Sequence, residues 1–120
     1  MKMNDAQAAV LEHLGEALPV TARAMFGGIG LYSDGLFFAL IDGERLYLKV
    51  DDVNRPDFEA LGLGPFLPFG DPAKPMQYYP MPDDAMDDVA ALRDWADGAL
   101  GAARRAAAKK AAKGRGRNSG

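Results

Sequence analysis

The sequence predicts an α+β domain of two layers, an antiparallel sheet of about five strands with helices packed on it. Three observations predict it. Two Asp-Gly turns sit inside a strand-rich stretch at 22–50, and apolar residues recur at helical spacing both before and after that stretch. The chain has 120 residues, one domain's worth, with apolar residues near the globular norm.

Residues 4–17 read as a helix. Asn4 offers a capping oxygen, Val10, Leu11, Leu14 and Leu18 fall on one side, and Pro19 ends the run. Three strands follow. Met25–Tyr32 has a glycine-laden start, Leu36–Ile41 is apolar throughout, and Leu46, Leu48 and Val50 alternate with Tyr47 and Lys49. Ser33-Asp34-Gly35 and Asp42-Gly43 supply the turns, because Asp and Gly tolerate positive φ. Asn54–Gly62 reads as a short helix with Asn54 as cap and Gly62 at the left-handed terminal position. Phe66–Phe69 and Gln77–Pro80 are candidate short or edge strands, crowded by prolines. A last helix is expected from about Pro82-Asp83, with acids at its start and an apolar stripe of Val89, Leu92, Trp95, Ala96, Ala99, Leu100 and Ala103. The expected order is α-β-β-β-α-β-β-α.

The charge is divided. All 17 acidic residues and seven basic ones lie in 1–103, a net of −10. The other seven are Arg104, Arg105, Lys109, Lys110, Lys113, Arg115 and Arg117, a net of +7. The chain therefore reads as a domain at 1–103 and an Ala/Lys/Arg-rich tail at 104–120, a helical extension that passes into disorder over its Gly-rich end. A basic cluster neutralises phosphates without reading sequence, which makes the tail a candidate nucleic-acid contact. A solvated tail, or one lying on its own acidic body, is the competing reading.

Other chemistry finds little footing. There is no cysteine, which removes disulfides, thiol catalysis and thiolate metal sites and fits a reducing compartment. The N-terminal apolar stretch is interrupted by Asp5, Glu12 and Glu16 and is no signal peptide, and no run has the length of a membrane span, so a cytoplasmic protein is expected. Gly28 and Gly30 begin a dinucleotide-like pattern whose third position is Ser33, and the chain continues as a strand where the fingerprint requires a helix. His13 is the single histidine, with no set of metal ligands around it, and no cofactor is expected. Asp83, Asp84, Asp87 and Asp88 lack the spacing of a calcium loop and suit a helix start. Ser33, Ser119 and Thr21 have no histidine nearby in sequence, and no catalytic residue is singled out. Tyr47, Lys49, Tyr78 and Tyr79 would form a partner or ligand surface if their strands pair, with core cover as the competing role.

One stretch carries a family resemblance. Ala24–Tyr32, Asp34-Gly35, Arg45–Lys49, Asn54–Ala60, Met76–Tyr79 running into Pro82, and then Leu92 and Trp95 resemble the N-terminal domain of the TfoX/Sxy competence regulators, over about residues 10–103. The resemblance implies an antiparallel sheet with packed helices and kinship with regulators of natural transformation, and it brings no catalytic motif. Two-domain members carry a further C-terminal domain, in whose place this chain has its basic tail. A non-enzymatic regulatory module is therefore expected, acting through protein contacts with weak DNA affinity from the tail. A small-molecule sensor is the alternative, and a homodimer stays open.

Overall fold

The computed structural model describes residues 3–25, 28–66 and 77–118; for Met25 and residues 114–118 it describes the backbone alone. Helix α1 spans Asp5–Ala17. Asn4 caps it through a reciprocal pair: its side chain accepts from the Gln7 N–H at 2.8 Å, and the Gln7 side chain accepts from the Asn4 N–H at 3.1 Å. Gln7 also donates through Nε2 to the Gly43 carbonyl at 2.6 Å, which ties the helix start to a turn of the sheet.

The sheet is a sequential antiparallel meander, β1 to β5 in order. Its strands are β1 (Thr21–Met25), β2 (Gly28–Ser33), β3 (Leu36–Asp42), β4 (Arg45–Lys49) and β5 (Tyr78–Pro80). Expectation and structure part at β1. The predicted strand from Met25 to Tyr32 corresponds to β2, while Met25 ends a further strand, Thr21–Met25, that pairs back on it with Met25 opposite Gly28, so the strand run before Arg55 has four members. Ala22 and Ala24 hide β1 in the sequence, since alanine is a poor strand signal. The β2–β3 turn follows expectation, with Asp34 at φ 53° and Gly35 at φ 75° between paired Ser33 and Leu36.

A bulge shapes the middle of the sheet. Leu31 faces Ala39 and Tyr32 faces Phe37, which leaves Phe38 as the extra residue of β3. Phe38 and Ala39 both enter the helix-side core, while Phe37 turns to the other face beside Tyr32.

Helix α2 spans Arg55–Glu59, and Gly62 takes the left-handed position at φ 76°. Asn54 does not cap α2 with its side chain. It turns back instead, accepting from the Asp51 N–H at 2.8 Å and donating to the Lys49 carbonyl at 3.0 Å. The expected strand at 66–69 is described only at Phe66, whose N–H donates to the Tyr78 carbonyl at 2.7 Å; residues 67–69 lie outside the described residues.

The last helix starts later than expected. Asp83–Asp87 form a 3₁₀ turn, and α3 spans Val89–Asn118. Asp88 is extended and separates them; its Oδ1 accepts from the Ala90 and Ala91 N–H groups, taking up donors that the helix start leaves orphaned. The helix continues through the Gly-rich end that was expected to be disordered, following a run of alanines and long cations of high helix propensity.

Both α1 and α3 lie on one face of the sheet. The core holds Leu14 and Leu18, the strand residues Ile29, Leu31, Phe38, Ala39, Ile41, Leu46 and Leu48, then Phe58 and Tyr79, and Leu92, Ala96, Ala99, Leu100 and Ala103 of α3. Arg93 pins the helices together: its Nη1 donates to the Ala17 carbonyl at the end of α1, where a cation meets the negative end of the helix. Phe58 is fully buried between the rings of Trp95 (4.8 Å) and Tyr79 (5.7 Å), whereas Trp95 is half-buried. Phe58→Ala should cost about 3–5 kcal/mol and Trp95→Ala about 2 kcal/mol, measured by urea unfolding. Equal losses would place both rings at the same depth.

Candidate functional site

Opposite residues of an antiparallel pair share a face, and the register therefore sorts the predicted surface. Tyr47 lies opposite Pro80 and Lys49 opposite Tyr78, on the face away from the helices. Tyr79 lies opposite Leu48, on the helix side, and its hydroxyl meets Glu59 Oε2 at 3.3 Å. Three of the four predicted residues thus come together, and Tyr79 joins the core.

The far face holds more aromatic surface than the sequence pattern suggested. Tyr32 stacks on Phe37 at 5.1 Å, and Phe37 meets Tyr78 at 5.6 Å. Tyr47 packs on Phe66 at 4.6 Å. A cation sits over each end of the Tyr32–Phe37–Tyr78 row: the Arg23 guanidinium is 5.3 Å from the centre of the Tyr32 ring, and Lys49 Nζ is 5.4 Å from that of Tyr78. Tyr32 and Phe37 could be found from sequence only with the bulge in hand. Burial, then neighbouring Tyr32, pushes the Tyr78 phenol up to about 12. Burial and then the Glu59 carboxylate raise that of Tyr79 as well.

Where β4 runs out, a second feature begins. A cleft of about 440 Å³ opens between the 49–55 segment, Gln77 and α3. Asp51 accepts two hydrogen bonds from Arg105, one from Nη2 at 2.9 Å and one from Nε. That contact holds the Asp51 carboxyl below the usual carboxylate range. Asp52 pairs with Arg55, whose Nη2 also donates to Gln77 Oε1 at 2.6 Å. Of two glycines in α3, Gly98 faces this segment and Gly101 lies beneath the Arg105 side chain. A β-carbon at Gly98 would meet the Asn54 side chain at 3.8 Å, and one at Gly101 would meet Arg105 Nη1 at 3.2 Å.

Beyond the cleft α3 leaves the body. Arg104, Arg105, Lys109, Lys110 and Lys113 are all exposed, as are the alanines among them. At helical spacing Arg105, Lys109 and Lys113 form one stripe. Arg105 is held by Asp51; Lys109, Lys110 and Lys113 have no ion-pair partner among the described residues. Arg115 and Arg117 belong to the helix backbone, and their side chains lie outside the described part. His13 is half-exposed, with Nε2 lacking a hydrogen-bond partner among the described residues, and no group of metal-binding side chains occurs among those residues. No helix among them is long and apolar enough to cross a membrane.

A family model of the TfoX N-terminal domain matches residues 12–103. The chain belongs to the TfoX N-terminal domain family. The match ends where the small apolar residues of α3 give way to the exposed basic run, so the TfoX N-terminal unit contains the sheet, its far face and the 49–55 side of the cleft. Among curated proteins nothing matches. The TfoX N-terminal domain family is not known as an enzymatic one.

Two measurements probe these sites. With its folded value raised, Tyr78 stays protonated while the unfolded chain ionises, so its contribution to stability is intact below pH 10 and declines between about pH 10 and 12. Alkaline unfolding followed by fluorescence should begin in that window, and Tyr78→Phe should shift it upward. At the cleft, Asn54→Ala should cost about 1–3 kcal/mol by orphaning a donor and an acceptor. Gly101→Ala should be neutral or stabilising by up to about 1 kcal/mol, because helix propensity rises and the exposed Arg105 end can move. A large loss at Gly101 would show Arg105 to be rigidly seated.

Proposed function

We propose that this TfoX N-terminal domain is a regulatory interaction module, without catalysis of its own, that acts through protein contacts and gains weak DNA affinity from its basic helical extension. The carrying observation is the exposed extension itself. It is a stretch of helix from Arg104 whose sequence holds seven basic residues and no acidic one, attached to a body of net charge −10. Such an element supplies phosphate neutralisation where the body would repel a polyanion. The far sheet face, with Tyr32, Phe37 and Tyr47 half-exposed and no described helix over it, supports the protein-contact half of the reading. Tyrosine, phenylalanine and arginine are among the side chains enriched where proteins meet.

Duplex DNA binding across a range of salt tests the reading. Arg105 is already paired, so six cations remain for phosphates, and log K should fall against log salt with a slope of about −5. Replacing Lys109, Lys110 and Lys113 together by Gln should flatten that slope by about 3 units. An unchanged slope, or no binding at low salt, would remove DNA contact from the function.

A further inference from the structure

One member of the basic run beyond residue 103 is set apart from the others. Arg105 pairs with Asp51, whereas Arg104, Lys109, Lys110 and Lys113 have no ion-pair partner among the described residues. Asp51 belongs to the body and is fixed by its own turn. Its N–H donates to the Asn54 side chain at 2.8 Å, and its Oδ1 accepts from the Val53 N–H at 3.0 Å. The carboxylate takes the side of the guanidinium that carries Nε and Nη2. Two N–H groups side by side are also what arginine offers a phosphate. To reach Asp51 the Arg105 side chain lies back along α3: a β-carbon at Gly101, one turn earlier, would be 3.2 Å from its Nη1. Arg105 is thereby drawn away from Lys109 and Lys113, with which it shares a stripe at helical spacing. The pair also crosses the boundary of the matched domain, since Asp51 lies within 12–103 and Arg105 beyond it.

We propose that Asp51 is an autoinhibitory acid: by occupying the Arg105 guanidinium it keeps the first cation of the stripe out of nucleic-acid contact, and loss of that pair adds one phosphate contact. The device rests on DNA contact by the extension, as proposed above, and sets its strength. A carboxylate gripped by two N–H groups of one guanidinium is the strong form of an ion pair. Handing Arg105 to a phosphate would leave the Asp51 carboxylate bare beside a polyanion, so the pair holds in its presence. The Arg105 side chain is nevertheless 44% exposed and within reach of a phosphate once the acid is neutral. Asp52 differs, because it pairs with Arg55 of α2, outside the basic run. Among the described ion pairs, Asp51 alone joins the body to a cation of the extension.

The test is duplex DNA binding across a range of salt by the full chain and its charge variants. Arg105→Gln should leave the slope of log K against log salt at about −5, because the removed cation made no phosphate contact, whereas Lys110→Gln should flatten it by about 1 unit. Asp51→Asn keeps the oxygen that accepts from Val53 and removes the charge that holds Arg105. It should steepen the slope to about −6 and raise affinity about tenfold at about 50 mM salt. Adding Arg105→Gln to Asp51→Asn should remove the steepening. Asp52→Asn deletes the same charge one residue away and should leave the slope unchanged, which separates the pair from the change in net charge. The device is overturned if Arg105→Gln flattens the slope as much as Lys110→Gln does, or if Asp51→Asn and Asp52→Asn act alike. In either case the lysine-dependent slope stands, and DNA contact with it. Absence of binding by every protein, Asp51→Asn included, would overturn DNA contact and the device together. Binding by Asp51→Asn without binding by the unaltered chain or by Asp52→Asn would support the device in a stronger form.

Discussion

The close seating of α3 against the sheet is the contact on which the rest of the molecule depends. A five-stranded meander has a helix-covered face only if some element crosses its middle strands, and α3 does so with Leu92, Ala96, Ala99, Leu100 and Ala103. Small residues bring its backbone near, and Gly98 extends that approach to Asn54 of the 49–55 segment. Asn54 completes the seat. Buried beneath Gly98, it holds the backbone of Lys49 and Asp51 in the shape that presents the Asp51 carboxylate to Arg105. Core, cleft and extension are thus consequences of one helix lying close.

Much of this was legible in the sequence, for identifiable reasons. Leu46–Val50 alternates cleanly, Asp34-Gly35 has the positive φ that its residue types favour, and Asn4 caps α1. The misread elements are those whose signal is tertiary. Thr21–Met25 becomes a strand because Gly28–Ser33 is there to pair with it. Asp83–Asp87 look like a helix start, yet Asp88 is the residue that receives the first free amides of α3.

The candidate sites were legible only in part. Tyr47, Lys49 and Tyr78 follow from strand periodicity, and Tyr79 falls to the helix side because Leu48 is its partner. Tyr32 and Phe37 join the far face through a bulge that leaves no mark on composition. The cleft was invisible for a different reason. Its members are separated by up to 60 positions, from Lys49 to Lys109, and meet only through the packing of α3. The basic run was the plainest feature of the sequence, but its paired member, Arg105, is set by Asp51, 54 positions earlier.

The unbroken passage of α3 from core to exposed run has a mechanical consequence. A flexible tail would sample many positions and present its charges at a low effective concentration to any one target. A helix fixes direction: the ten residues from Arg104 to Lys113 project about 15 Å along a line set by the buried half of the same helix. Displacement of the buried half would therefore swing the outer lysines as one lever. Whatever holds or loosens the root of α3 also aims its far end.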